Sequence, residues 1–318
     1  MKVAVVIPSY RVKKKILDVI ADIGSEVCKV YVVDDCCPEN TGVFVKEHCK
    51  DERVKILTHK ENKGVGGALV TGYYAAMSDH MDIVVKVDGD GQMDPSLIPE
   101  FIAPIINGSA DYTKGNRFYN LDDAMDMPRL RYFGNISLSF LTKLSTGYWK
   151  NFDPTNGYTA ISTKVLALIN LDQISKDYFF ESDMLYRLGM CRAKVIDIPM
   201  QAKYEDEESS LTIKKIILPF FKKNMKNTYS RIIYNYFIRD FSIASIELLS
   251  GVMLLLFGCL FGLIHWVESS SSGIPATSGT VMVAGLTIIV GLQLLLSFLS
   301  YDIGNPPSET LHTKLHIK

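Results

Sequence analysis

The sequence has little net charge and no CxxC pair of cysteines, and we expect no signal peptide in it. Its 318 residues carry a formal net charge of -1 at pH 7, so no overall electrostatic field favours a nucleic acid as partner. Its six cysteines include no CxxC pair, which indicates a reduced cytosolic domain rather than a disulfide framework or a zinc site. The short apolar run at the start lacks a small-residue cleavage site, and we expect a buried strand there rather than a signal peptide.

Long hydrophobic runs are absent from the first two-thirds of the chain and dominate the last third. Two stretches, at about 243–267 and 280–301, are each long enough to cross a bilayer, which takes roughly 20 apolar residues. The linker between them has no Lys or Arg, whereas both flanking segments do, so the positive-inside rule predicts that both chain ends lie in the cytoplasm. The alternative is a buried helical hairpin in a soluble protein.

Residues 211–241 join the two parts of the chain. Apolar residues recur there every three or four positions and lysines fill much of the remainder, which favours amphipathic helices in a membrane interface over ordinary core-packing helices. We therefore expect a soluble domain at 1–210, juxtamembrane helices at 211–241, and two spans with a cytoplasmic tail at 242–318. His312 and His316 lie four apart in that tail, and we expect the tail to be solvated rather than to bind a metal.

The first 210 residues show the pattern of an α/β domain. Compact β-branched runs alternate with amphipathic segments, which predicts a mostly parallel sheet with helices on both faces. The clearest predicted strands are 3–7, 30–33, 54–57 and 83–87, with further strands at 111–114 and 194–198. In such sheets ligands bind at the carboxyl ends of the strands, where Asp34, Asp35, Asp88 and Asp90 fall.

The segment Asp88-Gly89-Asp90-Gly91-Gln92 follows one of these strands directly. Two carboxylates on alternate positions of a turn are able to converge on one hard cation such as Mg²⁺ or Mn²⁺. Such an ion would neutralise a leaving pyrophosphate. The alternative is that these aspartates only cap a turn.

Two further segments at strand ends have both a ligand-binding and a structural interpretation. A carboxylate of Asp34 or Asp35 would accept hydrogen bonds from a ribose or a base, or would cap a turn. The glycine-rich segment 62–68 opens a helix, where the backbone would approach an anion or pack tightly on the sheet. It lacks the spacing of a P-loop.

Two polar groups lie later in the soluble domain. Arg117 follows a short strand, and with Arg129 and Arg131 it would suit a phosphate, although a single arginine more often forms a surface salt bridge. Glu181 and Asp183 begin a helix, where they would supply a base or cap the helix terminus.

Taken together, five motifs resemble glycosyltransferase family 2, which has the GT-A fold, and most resemble its polyprenyl-phosphate and dolichyl-phosphate sugar synthases. The motifs are VVIPSYR at 5–11, VDDCCPENTG at 33–42, NKGVGGA at 62–68, DGDGQMDP at 88–95 and GNRF at 115–118. The two C-terminal spans resemble the subgroup whose catalytic domain stands on a pair of membrane helices.

The resemblance implies roles for individual residues. Asp88, Asp90 and Gln92 would hold Mg²⁺ or Mn²⁺ and the diphosphate, and Arg117 and Arg131 would bind the acceptor phosphate. The catalytic set would be Asp90, Asp183 and Arg117. The nucleotide-sugar, linked to UDP, GDP or dTDP, would contact Pro8, Tyr10, Asp34, Asp35, Lys63, Gly67, Asp88 and Gly89.

The implied activity is inverting transfer of one sugar to a polyprenyl phosphate at the cytoplasmic membrane face. No QxxRW motif of processive synthases is present, and the acidic stretch at 204–211 departs from the mannose-synthase pattern. Two alternatives stay open: transfer to a hydroxyl of a lipid-linked saccharide, where Asp183 becomes a required base, and a non-catalytic membrane scaffold. Two spans form a thin anchor, with which a homo-oligomer is compatible.

Overall fold

The computed structural model describes residues 1–119, 129–201 and 213–315, with only the backbone described at 129–133, 135 and 213–217. The acidic stretch at 204–211 and His316 therefore lie outside the described residues. The chain divides into two compact units, of which the first comprises Met1–Thr228 with Pro307–Lys318 and the second comprises Tyr229–Pro306.

The first unit contains a seven-stranded sheet within the described residues. Its order is β3-β2-β1-β4-β6-β5-β7, and every neighbouring pair is parallel except those of β6 with β4 and β5. The strands are β1 Val3–Ser9, β2 Val27–Asp34, β3 Val54–Thr58, β4 Ile83–Lys86, β5 Tyr112–Asn116, β6 Thr159–Ser162 and β7 Val195–Pro199. The mostly parallel α/β sheet expected from the sequence is confirmed.

Helices cover both faces of this sheet. The α-helices described up to residue 233 are α1 Ile16–Ala21, α2 Thr41–His48, α3 Gly64–Ser78, α4 Ile98–Ile106, α5 Arg129–Thr146, α6 Thr163–Leu166, α7 Phe180–Cys191 and α8 Ile213–Ile233. Alternate residues of β1 enter two separate cores: Ala4 and Val6 pack with residues of α3 and α7, whereas Val5 and Ile7 pack with residues of α1 and α4. Each such fully buried aliphatic side chain stabilises the fold by about 1.5–3 kcal/mol.

Residues 307–315 correct the expectation of a solvated tail. They belong to the first unit, where His312 is 4% exposed and the Asp111 carboxylate is fully buried. Asp111 accepts hydrogen bonds from the backbone N–H groups of Leu311 and His312 and from His312 Nδ1 at 2.7 Å. A buried carboxylate needs such partners, and it holds the segment against the start of β5.

The second unit contains two long helices, α9 Ile243–Ser272 and α10 Ser278–Gly304. Both are long and apolar enough to cross a membrane, with mean hydropathy of 2.2 and 2.3, and 11% of the most apolar stretch of each is buried. The helices approach closely at glycines, since a Cβ added at Gly291 would lie 2.7 Å from the backbone N of Leu255. Small residues at such contacts are typical of helix pairs in membranes.

Several buried polar groups in the second unit are paired. Arg231 Nη1 donates to Asp302 Oδ1 at 2.7 Å, and the Tyr236 hydroxyl donates to the same oxygen. Between the helices, the Ser297 hydroxyl donates to Glu247 Oε1 at 2.7 Å. Polar groups at membrane depth need partners of this kind.

Candidate active site

The candidate site lies where β4 ends, beside the carboxyl ends of β1 and β2. Asp88 and Asp90 are half-buried there, in the loop that follows β4. Contacts between backbone and side chains within the loop hold its shape. The backbone N–H of Asp88 points at Met93 Sδ, 3.3 Å away, and the backbone N–H of Gln92 donates to Asp90 Oδ1 at 2.9 Å. Gly91 has φ of +83°, a conformation that side chains rarely adopt.

The carboxylates of Asp88 and Asp90 suit a divalent metal. Both are hard oxygen ligands, and Mg²⁺ is usually bound by one or two carboxylates together with substrate phosphates. In the described parts of the chain, no group of three or more His, Cys, Asp or Glu side chains is placed to hold a metal. The pair fits an ion that shares its coordination with a diphosphate. Gln92 is exposed beside the pair, and its part in ligation stays a prediction.

A buried lysine lies directly beneath the aspartate pair. Lys86 is 2% exposed, and its Nζ donates to Glu181 Oε1 at 2.8 Å and lies 3.4 Å from Asp88 Oδ1. Burial alone would lower the pKa of the Lys86 ammonium, but the charges of Asp88 and Glu181 outweigh it and raise the pKa above its usual value. The sequence analysis missed Lys86, although a lysine within an otherwise fully apolar strand was the visible sign.

Gly157 covers this lysine from the loop before β6. A Cβ added at Gly157 would lie 2.4 Å from Lys86 Nζ and 3.1 Å from Asp88 Oδ2. Only a residue without a side chain fits there undisturbed. The turn at 152–159 is therefore part of the site, which its sequence alone did not indicate.

Asp34 and Asp35 end β2 and are both buried. Asp34 Oδ1 accepts from the N–H of Cys37 at 2.7 Å and Oδ2 from that of Gly42 at 2.6 Å, so both oxygens cap the following turn. Asp35 Oδ1 contacts His59 Nδ1 at 2.6 Å and accepts from the N–H of Lys63 at 2.8 Å. These contacts favour the turn-cap interpretation for Asp34, and a nucleotide contact stays a prediction for Asp35.

The glycine-rich segment packs against protein backbone. A Cβ added at Gly64 or Gly66 would lie 2.5 Å from a carbonyl oxygen, that of Lys176 or Ser175. The N–H of Gly66 also donates to the Lys176 carbonyl at 3.1 Å. This is the tight-packing alternative. Lys63 is exposed, and Gly67 is buried against the Lys63 side chain. The contacts of both residues with the donor stay predictions.

Three predicted donor contacts lie in or beside the loop that follows β4. Pro8 is half-buried at the end of β1 and Tyr10 is 43% exposed just beyond it. Gly89 is buried, and a Cβ added there would lie 3.0 Å from Val12 Cγ2 and 3.2 Å from Ile7 Cγ2. Gly89 thus lets the loop after β4 lie close to β1.

Arg117 is engaged by a carboxylate that the sequence analysis did not select. Its Nε and Nη2 donate to the two oxygens of Asp153, each at 2.7 Å, and Asp153 is 2% exposed. Burial alone would raise the pKa of Asp153, but the hydrogen bonds and charge of Arg117 outweigh it and lower the pKa. The edge of the Arg117 guanidinium that carries Nε and Nη2 is therefore bound to Asp153. Arg131 lies in the first turn of α5, and its side chain lies outside the described residues.

Asp183 is held in a structural network. Its Oδ2 accepts from the N–H of Ser175 at 2.9 Å and from Arg187 Nε at 3.2 Å, and Asn227 Nδ2 lies 3.4 Å from Oδ1. The side chain is buried, whereas Glu181 reaches Lys86 beside Asp88. The contacts favour the structural interpretation of Asp183, and the acidic group that α7 brings to the Asp88 loop is Glu181.

The fold and the site together define an enzyme of the GT-A type. The model of the family described as "Glycosyl transferase family 2" matches residues 4–169, and the chain belongs to this family. It is a glycosyltransferase, as the sequence resemblance implied.

Curated relatives share most of their length with this chain. A UDP-N-acetylglucosamine–dolichyl-phosphate N-acetylglucosaminyltransferase from Methanococcus voltae is 31% identical over 215 residues, which cover 63% of this chain and 85% of that protein. An undecaprenyl-phosphate mannosyltransferase from Micrococcus luteus is 27% identical over 204 residues, which cover 63% and 83%.

Solved structures share the fold at low sequence identity. Glucosyl-3-phosphoglycerate synthase from Mycobacterium tuberculosis, crystallised with Mn²⁺, UDP and glucosyl-3-phosphoglycerate, superimposes with a TM-score of 0.53 at 16% identity. The likeness covers 72% of this chain and 79% of that chain. At this identity it shows the GT-A fold alone.

Proposed function

We propose that the protein transfers a single sugar from a nucleotide-sugar to a polyprenyl phosphate, with inversion at the anomeric carbon and with a divalent metal. The observation that carries this is the half-exposed pair Asp88 and Asp90 at the end of β4, on a chain that also has two membrane-length helices. The names of the relatives from Methanococcus voltae and Micrococcus luteus support a lipid phosphate as acceptor.

The donor binds at the carboxyl ends of β1, β2 and β4. Asp88 and Asp90, assisted by Gln92, hold Mg²⁺ or Mn²⁺, which neutralises charge on the leaving diphosphate. Asp35, Pro8, Tyr10 and the loop that follows β3 contact the nucleoside.

The acceptor phosphate supplies its own nucleophile. Its second pKa lies near 6, so the phosphate oxygen is largely ionised at neutral pH and needs little help from a base. That oxygen forms the bond to the anomeric carbon as the bond from that carbon to the diphosphate oxygen breaks, and the nucleoside diphosphate leaves. Arg117 and Arg131 bind the acceptor phosphate. Asp183 positions α7.

In this proposal the catalytic site faces the cytoplasm. Residues 1–210 form the catalytic domain, and 211–241 form interface helices whose lysines suit anionic headgroups. Helices α9 and α10 span the bilayer. The linker at 273–277 has no Lys or Arg and lies outside, which puts both chain ends in the cytoplasm.

The test uses the full chain in detergent with Mg²⁺ or Mn²⁺, undecaprenyl phosphate and a panel of UDP-, GDP- and dTDP-sugars. Mass spectrometry reads nucleoside diphosphate release and new glycolipid, with Asp90→Ala as the inactive control. A lipid-dependent glycolipid that is lost in the variant supports the proposal and names the donor. Donor hydrolysis with no lipid product contradicts the assigned acceptor, and absence of nucleotide binding contradicts catalysis.

A further inference from the structure

The buried ammonium of Lys86 connects two carboxylates that come from distant parts of the chain. Asp88 follows β4, and Glu181 comes from the first turn of α7. Lys86 Nζ lies 2.8 Å from Glu181 Oε1 and 3.4 Å from Asp88 Oδ1. The side chain of Glu181 is 14% exposed and that of Asp88 is 30% exposed, so both carboxylates keep some access to the site.

The charges at this point would otherwise favour a different metal site. Glu181 is not placed to share a metal with Asp88 and Asp90 while Lys86 holds it, but the same ammonium contacts both Glu181 and Asp88. If Glu181 were released, a third carboxylate would tighten binding, because hard divalent cations bind more tightly as carboxylate ligands accumulate. Lys86 neutralises one of these charges and holds Glu181 by a direct hydrogen bond. A buried charge pair of this kind is costly to break by removing one partner.

We propose that Lys86 is a positioning residue that keeps Glu181 out of the metal's coordination shell. Among the described residues, Asp88 and Asp90 are then the only carboxylates on the metal, and its remaining positions stay open to the donor diphosphate. Metal binding thereby depends on the nucleotide. This inference rests on the proposed function, since it concerns the same metal.

Gly157 also restricts the position of the Lys86 ammonium. Its backbone lies so close to Lys86 Nζ that a Cβ would approach to 2.4 Å. The ammonium is confined between Gly157, Glu181 and Asp88, so it has little room to swing away when a metal arrives. A side chain at Gly157 removes no charge, yet it displaces the ammonium.

The test measures Mn²⁺ binding to the full chain in detergent by the electron paramagnetic resonance signal of free Mn²⁺, with and without UDP. For the wild type we expect UDP to tighten Mn²⁺ binding at least tenfold. For Lys86→Met we expect Mn²⁺ without UDP to bind at least tenfold tighter than to the wild type, because Glu181 joins the metal. UDP should then tighten Mn²⁺ binding by a smaller factor in Lys86→Met than in the wild type.

Three variants separate ligation from lost charge and from misfolding. Lys86→Met with Glu181→Asp keeps the carboxylate charge but shortens its reach, and we expect wild-type Mn²⁺ binding. Lys29→Met removes a lysine that pairs with Asp79 rather than with a residue of the site, and should leave the UDP dependence unchanged. Gly157→Ala should tighten UDP-free Mn²⁺ binding about threefold with all charges retained, and it serves if Lys86→Met does not fold.

The outcomes separate this inference from the function on which it rests. If the wild type shows UDP-dependent Mn²⁺ binding and folded Lys86→Met matches it, the positioning role is wrong and the metal site stands. If Lys86→Met with Glu181→Asp binds as tightly as Lys86→Met alone, lost charge explains the effect and the proposal fails. If the wild type binds no Mn²⁺ even with UDP, the proposed metal dependence itself is contradicted.

Discussion

The guanidinium of Arg117 and the carboxylate of Asp153 face each other in a bidentate pair, with two hydrogen bonds of 2.7 Å. Asp153 has φ of +54°, a backbone conformation that is uncommon for a residue with a side chain. Asn156 Nδ2 donates to the same carboxylate at 3.2 Å. The pair thus fixes the turn before β6, which carries Gly157, at the end of β5.

Replacing Arg117 separates its two roles. Arg117→Lys loses the planar fork, so we expect the KM for polyprenyl phosphate to rise about tenfold with little change in the KM for the nucleotide-sugar. Steady-state kinetics with each substrate varied in turn measures this. A purely structural role would lower the melting temperature and leave the ratio of the two KM values unchanged.

Acid stability depends on the same pair. The pKa of Asp153 is lowered in the folded state, so its contribution to stability is full above its unfolded pKa of about 3.9 and is lost as pH falls through the folded value. Arg117→Met removes the cause of the lowered pKa. We expect acid unfolding, followed by tryptophan fluorescence in detergent, to begin at higher pH in this variant; an unchanged transition would contradict the assignment.

The metal site can be tested with a matched pair of aspartates. Asp90→Asn should lower kcat at least a hundredfold and abolish UDP-dependent Mn²⁺ binding, because one of two carboxylate ligands becomes neutral. Asp94 lies four residues further and accepts from the N–H of Ser96 at 3.0 Å as a turn cap. Asp94→Asn should retain activity within a few-fold. Equal losses of activity in both variants would contradict the metal site, because they would show that each aspartate only keeps the loop folded.

The C-terminal segment should contribute to stability. His312 presents Nδ1 to Asp111 at 2.7 Å and Nε2 to the Ile105 carbonyl at 3.1 Å, and Asp111 is fully buried. Asp111→Asn leaves this network partly unpaired, so we expect a loss of about 3 kcal/mol in the free energy of unfolding. Urea denaturation measures it. Lys314→Ala, which breaks an exposed pair with Glu309, should cause no measurable change.

The sequence predicted the fold well where the pattern is local. The strands at 3–7, 30–33, 54–57 and 83–87 correspond to β1 to β4 because runs of buried β-branched residues are visible in sequence. Strand β6 was missed because its four residues, TAIS, contain one large apolar side chain, whereas the equally short β4 begins with an unbroken run of three. The placement of the aspartates at strand ends follows from the parallel sheet, and so the sequence placed Asp88 and Asp90 correctly in the loop that follows β4.

The sequence could not predict contacts between residues that are far apart along the chain. Lys86 meets Glu181 across 95 positions, and Asp111 meets His312 across 201. No spacing rule connects such pairs, so the sequence analysis selected Asp183 over Glu181 and expected a solvated tail. Asp153 was overlooked for the same reason, since its partner Arg117 lies 36 positions away.

The central claim is that a phosphate accepts the sugar. The most direct measurement offers the purified chain an equimolar mixture of a polyprenyl phosphate and the polyprenol of the same length, with the donor identified from the panel and Mn²⁺. Mass spectrometry then resolves the two glycolipid products in one reaction. We predict glycosylation of the polyprenyl phosphate alone, at least a hundredfold over the alcohol. Glycosylation of the alcohol, or donor turnover with neither lipid modified, would contradict the account.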